Sequence, residues 1–117
     1  MTGERKPAVI FRPAEMQEKA QAFTQRLNPG SAFSIFRLGL RAGLRQAGVS
    51  IVKLAPGKQS FAYHAHRVEE EWIYILDGSA VCRIDGADTR VDAGDFVGFP
   101  VPSVAHLLKN PFERTCT

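Results

Sequence analysis

Three histidines and one glutamate are the residues of this chain whose types and spacing suit metal binding. His64 and His66 are separated by one residue in a run of β-formers, so the alternation of a strand places both imidazoles on one face. Glu71 begins the next predicted strand, and His106 lies on a later one. Imidazole and carboxylate donors suit one divalent transition metal: Mn, Fe, Co, Ni, Cu or Zn. The alternative is that the histidines bind no ion.

The segments that carry these side chains follow the pattern of an all-β protein. From residue 34 onward, short runs of β-formers are separated by turn signals such as Asp85-Gly86, a pattern typical of an antiparallel sandwich or barrel. Before it, Pro13 and the fourteen residues AEMQEKAQAFTQRL predict a helix that ends at Asn28-Pro29-Gly30. We therefore expect one domain, with a helical extension over residues 1–30 and a barrel over residues 31–117.

Length, composition and charge exclude several classes of protein. The chain has 117 residues, of which 44% are hydrophobic and 23% charged, as in an ordinary small globular domain. Its apolar stretches are too short for a membrane span or a signal peptide, and Cys82 and Cys116 are too few for a disulfide framework. The basic residues are dispersed singly, which favours a solvated face over a nucleic-acid surface. We therefore expect a cytoplasmic protein with neither a nucleic-acid nor a membrane partner.

The spacing around the histidine pair resembles the first motif of a known family, the cupins. That motif reads Gly, five residues, His-x-His, three or four residues, Glu, six residues and Gly. The chain has the same order in Gly57, His64, His66, Glu71 and Gly78. The one departure is a sixth residue between Gly57 and His64, which falls in a predicted turn.

The segment that contains His106 is similar to the second cupin motif, which reads Gly, five residues, Pro-x-Gly, two residues, His, three residues and Asn. Gly94, Pro100, His106 and Asn110 keep its order and its two outer spacings. Pro102 stands where the family usually has Gly, and three residues instead of two precede His106. The chain ends seven residues after Asn110, so we expect the barrel to lack a closing strand.

The resemblance implies a cupin-type jelly-roll barrel, which is an antiparallel β-sandwich, with one divalent metal inside. It implies His64, His66, Glu71 and His106 as the ligands, and we place Phe99 at the mouth of the barrel. Such a site suits a metal-dependent enzyme of isomerase or dioxygenase type that acts on a small polar molecule. The alternative is a protein that binds or senses a small ligand without turnover. The interior positions offer almost no acid or base besides the ligands, so enzymatic activity stays open.

The strand EEWIYIL is apolar on both of its faces. If Glu71 faces the barrel interior, Trp72 and Tyr74 face outward. An outward apolar face of this kind predicts the interface of a homodimer. The alternative is that the N-terminal helix covers this face within one chain. The side chains that would do so are Met16, Phe23 and Leu27.

Overall fold

Two short helices and eight strands make up the described part of the chain. The computed structural model describes residues 8–24, 30–60 and 70–117. In chain order the elements are α1 (Pro13–Lys19), β1 (Gln21–Thr24), β2 (Ala32–Phe36), α2 (Leu38–Ala42), β3 (Ile51–Lys53), β4 (Glu71–Tyr74), β5 (Ser79–Ile84), β6 (Ala87–Asp92), β7 (Phe96–Phe99) and β8 (His106–Lys109). Neither of these helices is long and apolar enough to cross a membrane.

The strands pair in three antiparallel sets. One set has the order β1-β2-β3, another pairs β4 with β7, and the third has the order β6-β5-β8. The turn Asp85-Gly86 joins β5 to β6, and both of its residues have positive φ, 49° and 80°, as a two-residue hairpin turn requires. The predicted all-β, antiparallel class is therefore confirmed.

All three sets contribute to one hydrophobic core. Because side chains alternate between the faces of a strand, residues two apart enter the core together, as Phe33 and Ile35 do in β2 and Ala80 and Cys82 in β5. The buried members of the core are Phe33, Ile35, Leu54, Ile75, Ala80, Cys82, Val91, Phe99 and Cys116.

The helix α1 ends at Lys19, and the prediction of fourteen helical residues is wrong over residues 20–24. Ala20 has extended backbone, with φ −63° and ψ 143°, and the next four residues form β1. There Phe23 stacks on Phe33 of β2, with ring centroids 5.0 Å apart. Helix propensity is a weak preference, and pairing with β2 together with this aromatic contact overrides it.

The division of the chain at residue 30 stays a prediction. β1 belongs to the proposed extension, yet it pairs along its whole length with β2 of the proposed barrel. Residues 25–29, where the helix was expected to end, lie outside the described residues.

The C-terminal residues pair with two other segments. The N–H of Leu54 donates to the carbonyl of Cys116 at 2.8 Å, and the N–H of Cys116 donates to the carbonyl of Leu54 at 3.0 Å. The N–H of Thr117 donates to the carbonyl of Asp77 at 2.9 Å. The residues after Asn110, where we expected the barrel to lack a closing strand, are therefore hydrogen-bonded to two other segments.

Asn110 holds this C-terminal segment from within the protein. Its buried side-chain amide donates to the carbonyls of Leu54, at 2.9 Å, and Arg114, at 2.8 Å. Its side-chain oxygen accepts from the N–H of Phe112 at 3.0 Å. Asn110, the last residue of the second motif, thus has a structural role. It joins the end of β8 to Leu54, which follows β3, and to Arg114 near the C-terminus.

Replacing Asn110 with Ala should lower the free energy of unfolding by about 3 kcal/mol, since an unpaired buried polar group costs ~1–3 kcal/mol. Asn110→Asp should be at least as damaging, because its carboxylate would face two carbonyl oxygens. Urea denaturation at neutral pH measures both variants. A loss below about 0.5 kcal/mol, the range of neutral surface changes, would contradict this role.

Candidate metal centre

The structure brings together two of the four predicted ligands. Glu71 is the first residue of β4, and His106 is the first residue of β8. Glu71 Oε1 and His106 Nε2 are 2.8 Å apart. His64 and His66 fall within residues 61–69, outside the described residues, so their part in the site stays a prediction. The described ranges contain no group of three or more His, Cys, Asp and Glu that could hold a metal ion.

Strand alternation and register aim Glu71 inward. Glu71 lies opposite Phe99 in the pairing of β4 with β7, and Phe99 is buried. The next residue, Trp72, points the other way and is 57% exposed. This confirms the prediction that Glu71 and Trp72 face opposite sides of the strand. The Glu71 side chain is still 35% exposed, so solvent or a small ligand reaches the carboxylate.

A backbone carbonyl sets the orientation of the His106 ring. His106 Nδ1 is 2.8 Å from the carbonyl oxygen of Val104. A carbonyl oxygen only accepts hydrogen bonds, so Nδ1 carries a proton and donates it. In a neutral imidazole the other nitrogen, Nε2, then presents its lone pair. That lone pair is aimed at Glu71.

Phe99 supports the same ring from one side, and its expected place at the barrel mouth stays a prediction. The rings of Phe99 and His106 are stacked, with centroids 3.7 Å apart and planes 12° from parallel. Phe99 is 4% exposed. The reason is its register opposite Glu71, which turns both side chains to the same face. The sequence analysis did not predict the contact of Phe99 with His106, because the pairing of β4 with β7 was not part of it.

The chemistry of the Glu71–His106 pair requires a cation. The carboxylate oxygen and the unprotonated Nε2 are both acceptors, and two acceptors at 2.8 Å repel each other unless positive charge lies between them. That charge is either a proton, which makes an imidazolium–carboxylate pair, or a metal ion. A nitrogen and oxygen donor set fits a divalent transition metal, so the pair fits the ion that the sequence predicts.

Cys82 is a packing residue and not a thiolate beside the pair. Burial, together with the negative charge of Glu71, raises the pKa of the Cys82 thiol to about 11. The thiol therefore stays protonated at neutral pH, and a protonated thiol is neither a nucleophile nor a metal ligand.

Comparison with known proteins places the chain in a family. The family model described as the cupin domain matches residues 50–117. A crystal structure from Acidithiobacillus ferrooxidans, of a protein assigned as a sugar phosphate isomerase, is 33% identical with a TM-score of 0.87. The match covers 92% of this chain and 69% of that chain. The structure of a sugar phosphate isomerase of the cupin superfamily from Silicibacter pomeroyi is 28% identical with a TM-score of 0.70. Here the match covers 83% of this chain and 63% of that one.

A third structure is similar in fold alone. It is that of a predicted oxalate decarboxylase from Thermotoga maritima, which is 22% identical with a TM-score of 0.76 and matches over 92% of each chain. No curated protein matches the sequence at a significant level. The fold matches confirm the predicted jelly-roll class. Because the family model covers more than half of the chain, this protein belongs to the cupin family.

Proposed function

We propose that this cupin binds one divalent transition metal, with Glu71 and His106 as two of its ligands and His64 and His66 as the others. One observation carries the proposal. Because the Val104 carbonyl accepts a hydrogen bond from Nδ1, the neutral imidazole presents the lone pair of Nε2, 2.8 Å from Glu71 Oε1, to a metal ion. The resemblance adds His64 and His66. The metal is Mn, Fe, Co, Ni, Cu or Zn, all of which accept imidazole and carboxylate.

The proposed activity is that of a metal-dependent enzyme of isomerase type acting on a small polar molecule. A divalent ion bound there would supply a Lewis acid that polarises an oxygen of the ligand. The Val104 carbonyl and the Phe99 ring hold His106 in place, while the exposed part of the Glu71 side chain leaves an approach for the ligand. Isomerisation is favoured over oxygenation because two similar structures are named for sugar phosphate isomerases.

A second candidate is a protein that binds or senses a small ligand without turnover. The side chains that the described ranges place beside the pair include the neutral Phe99 ring and the protonated Cys82 thiol, and neither is an acid or base for catalysis near pH 7. Incubating the metal-loaded protein with glucose 6-phosphate distinguishes an enzyme from a protein that only binds its ligand. Proton NMR that shows conversion to the ketose supports the enzyme, whereas saturable binding with no product supports the binding protein.

A pair of adjacent glutamates tests the metal assignment. Glu71→Gln should weaken metal affinity at least about tenfold, since even outer partners of metal ligands contribute that much. Glu70→Gln is the matched control. Glu70 is exposed, and its substitution removes the same charge one residue away from Glu71. Metal analysis after dialysis, on protein purified without chelator or affinity nickel, measures the content. Equal metal content in the two variants would remove Glu71 from the site.

We also propose that the protein forms a homodimer through the outer face of β4 and β7. This face consists of Trp72, Tyr74, Phe96 and Gly98. The three aromatic side chains are 57%, 49% and 63% exposed, and Phe96 stacks on Trp72 with centroids 6.2 Å apart. The helix does not cover this face in the described residues, because α1 packs against β2. A symmetric dimer would remove the exposed rings from water.

Sedimentation equilibrium at micromolar concentration should give twice the chain mass of 12.9 kDa. The double variant Trp72→Ser and Phe96→Ser should sediment as a monomer, because it removes the two stacked rings from the face. Leu44→Ser is the control, since Leu44 is 51% exposed but lies elsewhere. A wild-type protein that sediments at 12.9 kDa would refute the dimer.

A cytoplasmic location also remains our proposal. Cys82 and Cys116 are both buried and free of a disulfide. Unpaired thiols of this kind are usual in a reducing compartment.

A further inference from the structure

We propose that an open cavity at the end of β2 binds the phosphate or carboxylate group of a small molecule. The cavity has a volume of about 370 Å³, and it is lined by Gln21, Ile35, Arg37, Leu40 and Arg41. Small-molecule sites commonly span ~300–1,000 Å³, so the space suits a ligand with more than the anionic group alone. None of the lining residues is a predicted metal ligand, so the inference does not rest on the metal centre.

Two guanidinium groups supply the positive charge of the cavity. Arg37 precedes α2, and the N–H of Arg41 donates to the carbonyl of Arg37 at 3.0 Å, so the backbones of the two residues lie one turn apart and both residues line the same cavity. Among residues 8–24, 30–60 and 70–117, neither forms an ion pair with a carboxylate. An oxyanion between the two would relieve their mutual repulsion, and guanidinium groups bind oxyanions in bidentate geometry.

Arg41 is held near the cavity by an aromatic side chain. Its guanidinium carbon lies 5.1 Å from the centre of the Phe36 ring, within the range of a cation–π contact. Phe36 is itself 2% exposed and is therefore a fixed support. Restricting Arg41 before the ligand arrives lowers the entropy that binding would lose.

The other lining residues suit the rest of a small molecule. The Gln21 side chain offers an amide donor and acceptor, and its backbone lies directly opposite Ile35 in the pairing of β1 with β2. Leu40 is 70% exposed, and a nonpolar part of the ligand would cover it. The cavity therefore combines an anion site with an apolar wall and one neutral polar group.

The charge distribution of the chain favours an anion at this place. Residues 1–58, which include every lining residue, contain ten Lys or Arg and three Asp or Glu. The charged residues that line the cavity, Arg37 and Arg41, are both positive, and charge of one sign raises the local concentration of ligands of the opposite sign. The ligand that the cavity fits is thus a small organic phosphate or carboxylate.

A titration with inorganic phosphate, and a parallel one with acetate, tests the site by NMR. The side-chain Nε–H signals of Arg37 and Arg41 should shift and saturate with at least one of the two anions. Arg37→Gln and Arg41→Gln should each weaken that binding at least about tenfold, because a hydrogen bond to a charged group contributes ~1.5–3 kcal/mol. Arg45→Gln is the matched control, since Arg45 is exposed close by and does not line the cavity.

Three outcomes would overturn the proposal: no shift of either arginine signal, equal weakening in the Arg45→Gln control, or loss of anion binding in Glu71→Gln. The last would mean that the anion binds at the metal centre. Retention of phosphate or acetate binding by Glu71→Gln supports a separate site, even if the protein proves to bind no metal. Because Arg37 and Arg41 are exposed, we expect both variants to fold, and thermal unfolding checks this.

Discussion

Replacing His64 and His66 together with Ala is expected to reduce the bound metal from about one ion per chain to background, because metal sites of this type need about three or four protein ligands. The variant keeps only Glu71 and His106, which contact each other at 2.8 Å. Two donors bind a divalent ion too weakly to retain it through dialysis. Metal analysis of protein purified without chelator or affinity nickel gives the result directly.

Thermal unfolding provides a second readout for the same variant. An ion that binds only the folded state raises the unfolding temperature, so added metal should stabilise the wild type and leave the double variant unchanged. With chelator present, the two proteins should unfold at similar temperatures. Unchanged metal content in the double variant would refute the assignment of His64 and His66 as ligands.

Replacing Gly78 with Ala is expected to lower the free energy of unfolding by ~2–5 kcal/mol, from left-handed strain of ~1–2 kcal/mol and a clash that adds ~1–3 kcal/mol. The φ of Gly78 is +79°, and an added Cβ would lie 2.5 Å from the carbonyl oxygen of Thr115. It would also lie 3.1 Å from the Cα of Cys116. The C-terminal segment would have to move, which would disturb its hydrogen bonds to Leu54.

Gly57→Ala is the matched control for Gly78→Ala. Gly57 has the same φ, +79°, but an added Cβ would have no described atom within 4 Å. In this variant the free energy of unfolding should fall only by the cost of the left-handed backbone, ~1–2 kcal/mol. Urea denaturation of both variants separates the cost of the left-handed backbone from the cost of the clash with Thr115. Equal losses of unfolding free energy would show that the close approach of Thr115 to Gly78 does not contribute.

Local patterns in the sequence determined much of the architecture correctly. The Asp85-Gly86 turn depends on the φ that two neighbouring residues can adopt, and the opposite directions of Glu71 and Trp72 depend only on strand alternation. The motif spacings selected Glu71 and His106, which the structure places in contact. The turn and the strand alternation are decided by residues close together in the chain, so a single sequence contains that information, whereas Glu71 and His106 were selected by the resemblance of the two motifs to those of the cupins.

Only the tertiary structure decided how distant segments meet. Pairing with β2 makes residues 21–24 a strand, although their helical periodicity indicated a longer helix. The register of β7 against β4 places Phe99 beside His106, and the Val104 carbonyl then selects the ring nitrogen that faces Glu71. The pairing of β1 with β2 and of β4 with β7, and the stacking of Phe99 on His106, depend on packing between segments that are not adjacent in the chain, and local propensity and spacing do not encode that packing.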